Sequence, residues 1–161
     1  MQPDKRTLLE LMIAPRPGLQ RGLSVTMQLA SIVVVVTLIL GVSTALLAVF
    51  GPRWLRWLIR LYVDIIRGIP GLVLIFAVYY LLPLTGLNLR EFWAAAAALS
   101  VFFLAHVTEV TRGALESVPK GQHDAARAIG LPFGLRLAYV VFPQAAMRFL
   151  PPWVNVVVET I

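Results

Sequence analysis

The chain has no cysteine, so disulfides and thiolate metal sites are excluded. Its two histidines, His106 and His123, lie far apart, and no HExxH pair, GxxxxGK phosphate loop or GxSxG nucleophile elbow is present. No catalytic residue and no metal ligand is therefore assigned. Charge is scarce: Asp, Glu, Lys and Arg make up 14% of the 161 residues while hydrophobic residues make up 59%, a balance that water-soluble domains rarely have. It is absent altogether from Gly22 to Pro52 and from Gly68 to Leu89. Each of these runs is long enough to cross a bilayer, which takes roughly 20 apolar residues.

What is there organises around those runs. A polar tail, residues 1–21, carries a short apolar patch from Leu8 to Ala14 and a Pro-Arg-Pro-Gly breaker. The first long apolar run exceeds the length of a signal-peptide core, so it reads as an uncleaved span from about Leu23 to Phe50, closed by Gly51 and Pro52. Next comes RWLRWLIRLYVDIIRG, with Arg53, Arg56 and Arg60 at helical spacing beside Trp54 and Trp57, a combination that favours the headgroup boundary. A second span runs to about Leu82, with Pro70 near its start. A third run, Phe92 to Thr108, spans if it continues helically through Glu109. The last stretch, Leu137 to Ile161, is interrupted by Pro143, Arg148 and the pair Pro151 and Pro152. It is either a kinked span or two short pieces buried in protein, since irregular backbone exposed to lipid is costly.

The net charge of +6 is consistent with nucleic acid as a partner, but in so apolar a chain basic residues more often set topology or meet anionic headgroups. Lysine and arginine counted on alternate sides give five for the tail plus the Pro83–Glu91 loop, and eight for the Arg53–Arg67 and Arg112–Arg136 segments. The richer side is expected to be cytoplasmic, with the N-terminus outside. Five consecutive alanines, Ala94 to Ala98, suit close helix packing in the third span; a substrate path is the sharper alternative.

One hydrophilic interruption remains, EVTRGALESVPKGQHDAARAIG from Glu109 to Gly130. Pro119 and Gly121 mark the exit from the third span. A short helix fits from about Gln122 through Ile129, since Ala125, Ala126 and Ala128 are strong helix formers and Asp124 suits the positive end of the helix dipole. Gly130 stands where a left-handed residue ends a helix, and Pro132 prevents continuation. Two turns of helix do not hold together alone in water. They either cap the membrane bundle or dock against a partner.

Several ordered stretches bring a family into view. Asp124, Ala125, Ala126 and Gly130 resemble the EAA motif of ABC importer membrane subunits. Glu109 to Gln122 is similar to the ExxRGxxxSxPKGQ stretch of the polar amino acid permease subfamily, of histidine, glutamine, arginine and opine type. Tyr62, Asp64, Arg67, Gly68 and Pro70 resemble its YxExxRGxP stretch, and Phe142, Pro143, Gln144, Pro151, Pro152 and Asn155 its PQAxxxxxPPxxN stretch. The likeness extends over roughly residues 22–161.

The resemblance implies an all-α, polytopic bundle of the ABC importer type I permease fold, multi-pass in a bacterial inner membrane, with the transmembrane domain at 22–161 and its cytoplasmic coupling loop at about 112–136. The loop helix would seat in a separate ATPase subunit, which would use ATP and Mg. Gly121, Gln122, His123, Asp124, Ala125, Ala126, Arg127, Ala128, Ile129 and Gly130 would form the coupling surface. A second permease subunit, an extracytoplasmic solute-binding protein and membrane lipid complete the implied partners, with no nucleic acid. Asp124 stands where the family usually has Glu, and Phe102 to His106 replace the small polar residues common in the third span. The sequence ends at Ile161, before the final helix that such permeases carry, so the expected fold is incomplete at its C-terminus.

His106, Thr108, Glu109, Asn155 and Glu159 are the candidates for a solute path or gate. Each has a plainer reading: His106 as a packing residue, Glu109 as an intrahelical partner of Arg112, Asn155 and Glu159 as a polar seam at i and i+4. Arg148 is expected to snorkel to an interface. Two rival classes are a channel or scaffold without ATPase coupling, and a helix-turn-helix DNA binder built on DAARAIGLPFGLRL.

Overall fold

A computed structural model describes residues 17–160 of the chain. The tail residues Lys5, Arg6 and Arg16, and the Leu8–Ala14 patch, lie outside the described residues. Six helices and three short helical turns account for the fold, with no strand among the described residues. Helix α1 (Pro17–Phe50) begins ahead of the expected Leu23, so the residues next to the apolar run are helical as well. Its 34 residues extend roughly 50 Å at 1.5 Å per residue, more than a bilayer's hydrocarbon core of about 30 Å. Ser31 and Thr44 on α1 are satisfied within the helix, Ser31 donating to the Met27 carbonyl at 2.7 Å and Thr44 to that of Leu40 at 2.6 Å. They therefore cost little in lipid.

Burial on α1 follows one stripe: Ala30, Val33, Thr37, Gly41, Ala45 and Ala48, at spacings of three and four. Every member is small or β-branched, and the stripe packs against α4 (Glu91–Glu116), the other helix long and apolar enough to span. At the closest approach a Cβ on Gly41 would lie 2.6 Å from the Cγ1 of Val107. Ala94, Ala96 and Ala98 are buried, as expected of a helix interface. The two helices run parallel: Met27 and Gln28 of α1 share a surface with Phe92 and Trp93 at the start of α4, Gly41 meets Val107 midway, and Leu46 and Val49 pack on the cluster around Leu115 near its end.

Between them the chain makes a sharp turn. Helix α2 (Arg53–Gly68) and helix α3 (Gly71–Leu81) meet at 101°. Pro70 lacks the N–H that would continue the helix and forces Ile69 into extended backbone, φ −99° and ψ 129°. The second span, expected as one run to about Leu82, is therefore an 11-residue helix extended by a 3-10 turn, Leu82–Thr85, and ended by Gly86 at φ 88°. Alone, α3 is roughly 16 Å long, well short of the hydrocarbon core. The corner is held by Gly71 against the Phe102 ring and by the Tyr62 hydroxyl donating to the Val101 carbonyl at 2.6 Å.

The last apolar stretch is a continuous helical path. After α5 (Lys120–Ala128) and a single turn, α6 (Phe133–Arg136), the backbone widens into a π turn at Leu137–Val141 and continues as α7 (Phe142–Thr160). Proline at 143 would crowd the carbonyl of Tyr139 in a regular α-helix, and the Phe142 N–H bonding back to the Leu137 carbonyl opens the turn by one residue there. Pro151 and Pro152 lie inside α7 without ending it. Helix α7 lies antiparallel to α4, Ala145 packing with Leu115 and Val156 with Phe103 and Val107.

Candidate functional site

The end of α4 carries two adjoining features, a charged cleft and the helix α5. In the cleft, the Arg112 guanidinium donates to both Glu109 carboxylate oxygens, at 2.5 and 2.9 Å, and to Glu116 at 2.5 Å. The pair expected at i and i+3 is thus a triad at i, i+3 and i+7. Arg60 and Asp64 of α2 face it across a space of about 300 Å³, with Thr108 on the wall. Thr108 is 1% exposed, and its hydroxyl has no hydrogen-bond partner among the described residues.

Of the candidates for a solute path, Thr108 and Glu109 share the cleft and the other three lie apart from it. His106 donates from Nδ1 to the Phe102 carbonyl, 3.0 Å away, and its ring lies 4.5 Å from that of Phe102. Asn155 and Glu159 are exposed on α7, flanking the buried Val156, and no hydrogen bond joins them to His106, Thr108 or Glu109 among the described residues. Arg148 reaches the end of α4, donating to the Ser117 carbonyl and, at 3.1 Å, to its hydroxyl. Instead of snorkelling it ties α7 to the start of the loop and satisfies a C-terminal carbonyl.

Pro119, at the N-cap of helix α5, has φ fixed at −58° and ends the α4 path. The helix begins two residues before the expected Gln122 and stops at Ala128, one before Ile129. The stop is a Schellman arrangement: Gly130 at φ 77°, its N–H on the Arg127 carbonyl at 2.9 Å, and the Leu131 N–H on that of Ala126 at 3.1 Å. Ala126 alone of the helix is buried; Gln122, Asp124, Ala125, Arg127 and Ala128 are exposed and His123 is half-buried. Gln144 of α7 donates to the Gln122 side chain at 3.3 Å, fastening the helix to the bundle.

Because valine tolerates the left-handed region poorly, Gly130→Val is expected to loosen the end of α5 by about 1–2 kcal/mol while leaving the bundle intact. Faster hydrogen exchange confined to residues 125–132, with an unchanged thermal midpoint, is the measurement. The helix-turn-helix alternative finds no support here, since α6 is a single turn running into the π turn, too short to serve as a recognition helix.

A model of the binding-protein-dependent transport system inner membrane component matches residues 37–161. The chain belongs to this family of inner membrane components. Relatives within it include the arginine transport system permease protein ArtQ of Bacillus subtilis, 34% identical over 86% of this chain and 64% of its own length. The L-cystine permease protein TcyB of the same organism is 36% identical over 90% of this chain and 62% of its own. The octopine permease protein OccM of Rhizobium meliloti is 38% identical over 88% and 61%. The chain thus spans about three fifths to two thirds of the length of these curated relatives. The crystal structure of an amino acid ABC transporter with histidines has the same fold, with a TM-score of 0.83 and 27% identity over 99% of this chain and 75% of that one. Among the sequence expectations, the all-α polytopic fold and the permease family stand.

Proposed function

We propose that the chain is the membrane-spanning permease subunit of an ATP-driven importer, translocating polar amino acids across the bacterial inner membrane by alternating access. The single observation that carries this reading is α5: a short, exposed, polar helix, capped at Gly130 and fastened through Gln122 to Gln144 at the end of the spanning bundle. The bundle buries only Ala126 of this helix, so its exposed polar face is left for a partner to seat against. In this reading it seats in a separate ATPase subunit, which supplies the ATP and Mg chemistry that this chain's residues do not. A second permease subunit would complete the pathway, and an extracytoplasmic binding protein would deliver the solute. The amino acid class is drawn from the arginine, cystine and octopine relatives.

The absence of cysteine makes the test clean. Asp124→Cys, exposed on α5, is expected to crosslink through a short bismaleimide to an engineered cysteine in the ATPase encoded with it, and the crosslink is expected to change with nucleotide. Crosslinks only to extracytoplasmic material, or none with a folded permease, would refute the coupling role and favour a channel or scaffold.

A further inference from the structure

Helix α2 presents three faces, and only one is used by the bundle. Ile59 and Val63 are buried against Ala48 and Ala105, with Leu55, Tyr62 and Ile66 packed beside them. Arg53, Arg56, Arg60 and Arg67, at spacings of three, four and seven, share a second face. Trp54 and Trp57, 65% and 63% exposed, with Leu58, Leu61 and Ile65, form a third that is apolar and open. None of the four arginines makes an ion pair or a side-chain hydrogen bond among the described residues. Arg53, Arg56, Trp57 and Arg60 line one groove of about 300 Å³ with no carboxylate in its wall. The nearest acids are Asp64, one turn on from Arg60, and the Glu109 and Glu116 pair that Arg112 already engages.

Its position says what meets this surface. Helix α2 starts three residues after the spanning helix α1 ends, runs at 101° to α3, and lies at the α5 end of the molecule, where Phe50 touches Phe133 edge-on at 5.7 Å. A helix crossing the bundle at the end of a span, with an apolar flank and an arginine flank, lies in the headgroup layer. Guanidinium forks match phosphate oxygens, and the indole of Trp57 bridges the apolar and polar layers.

We propose that the groove formed by Arg53, Arg56, Trp57 and Arg60 binds the phosphate of an anionic lipid headgroup in the leaflet on the α5 side, anchoring the corner between α1 and α3. This anchoring is independent of the importer reading. It requires only that the chain sits in a membrane.

The test uses the full chain carrying Trp93→Phe and Trp153→Phe, so that Trp54 and Trp57 are the only tryptophans, reconstituted in phosphatidylcholine vesicles. Brominated phosphatidylglycerol is expected to quench their emission far more strongly than brominated phosphatidylcholine at equal mole fraction, reflecting a local enrichment of about tenfold. Arg53→Gln, Arg56→Gln and Arg60→Gln together bring the ratio near one while the zwitterionic quencher still acts, showing that the chain remains embedded. The corresponding lysine variant keeps part of the preference, and Arg56→Gln alone, should the triple variant not insert, lowers the ratio severalfold. A ratio near one in the parent, or one unchanged by the glutamine variants, overturns the proposal. So does loss of quenching by both lipids when the ATPase is added, which would assign this face to a protein partner.

Discussion

Gly41→Leu is expected to prevent stable assembly of the α1–α4 pair. A Cβ at this position lies 2.6 Å from Val107 Cγ1, 2.8 Å from its Cβ and 3.4 Å from the Thr108 backbone N. The Val107 side chain has no room to retreat, being 1% exposed and packed with Val33, Phe103 and Val156. In water, overpacking of this kind costs about 1–3 kcal/mol, partly offset by the extra apolar surface buried. In lipid that offset vanishes, because acyl chains are as apolar as leucine and helices associate through close packing. Gly41→Ala is expected to lower the thermal midpoint in detergent by several degrees, and Gly41→Leu to leave little monodisperse protein after extraction. Combining Gly41→Ala with Val107→Gly removes the opposing Cβ and restores part of the loss. Parent-like stability of the leucine variant would show that the two helices do not meet as closely as 2.6 Å implies.

How much of this was legible depended on how local the controlling physics is. Pro119, Gly130 and Pro132 act on their own backbone, so the loop helix could be placed to within two residues at either end. Charge-free length identified the run that became α1, whereas the charge-free Gly68–Leu89 became the short α3, and α4 grew from Phe92–Thr108 by continuing helically through Glu109. The turn at Pro70 was visible as a break but not as 101°, because the angle depends on Gly71 seating on Phe102 and Tyr62 reaching Val101. The stripe on α1 was present as Ala30, Val33, Thr37, Gly41, Ala45 and Ala48 at spacings of three and four, yet α1 is apolar all round and gives no contrast to reveal its packed face. The third member of the Arg112 triad, Glu116, was readable at i+4. The partner of Arg148, Ser117, was not, because it lies on another element and the choice between snorkelling and capping is made by tertiary placement. Pro151 and Pro152 left two readings open, and the continuous α7 resolves them.

The strongest effect on coupling is expected from Ala125→Arg. Ala125 lies on the exposed side of α5, and arginine is nearly as good a helix former as alanine, so the loop should keep its shape. Ala126 is the opposite case: it is 4% exposed, and its carbonyl holds the Leu131 N–H, so arginine there would disturb the loop itself. The exposed substitution isolates docking from folding. If α5 seats closely in an ATPase groove, a long charged side chain at 125 must either push the helix out or enter the contact without a partner. Either outcome costs several kcal/mol, and each 1.4 kcal/mol weakens association tenfold. Copurification of the ATPase and solute-dependent ATP hydrolysis in vesicles are therefore expected to fall by a factor of about 100, with hydrogen exchange in α1 and α4 unchanged. Ala125→Ser, which keeps the side chain small, should retain both. Association within threefold of the parent for the arginine variant would mean that α5 is not the element the motor holds, and the force would have to enter the bundle elsewhere, with the charged cleft of Arg60, Asp64 and Arg112 at the end of α4 the next surface to probe.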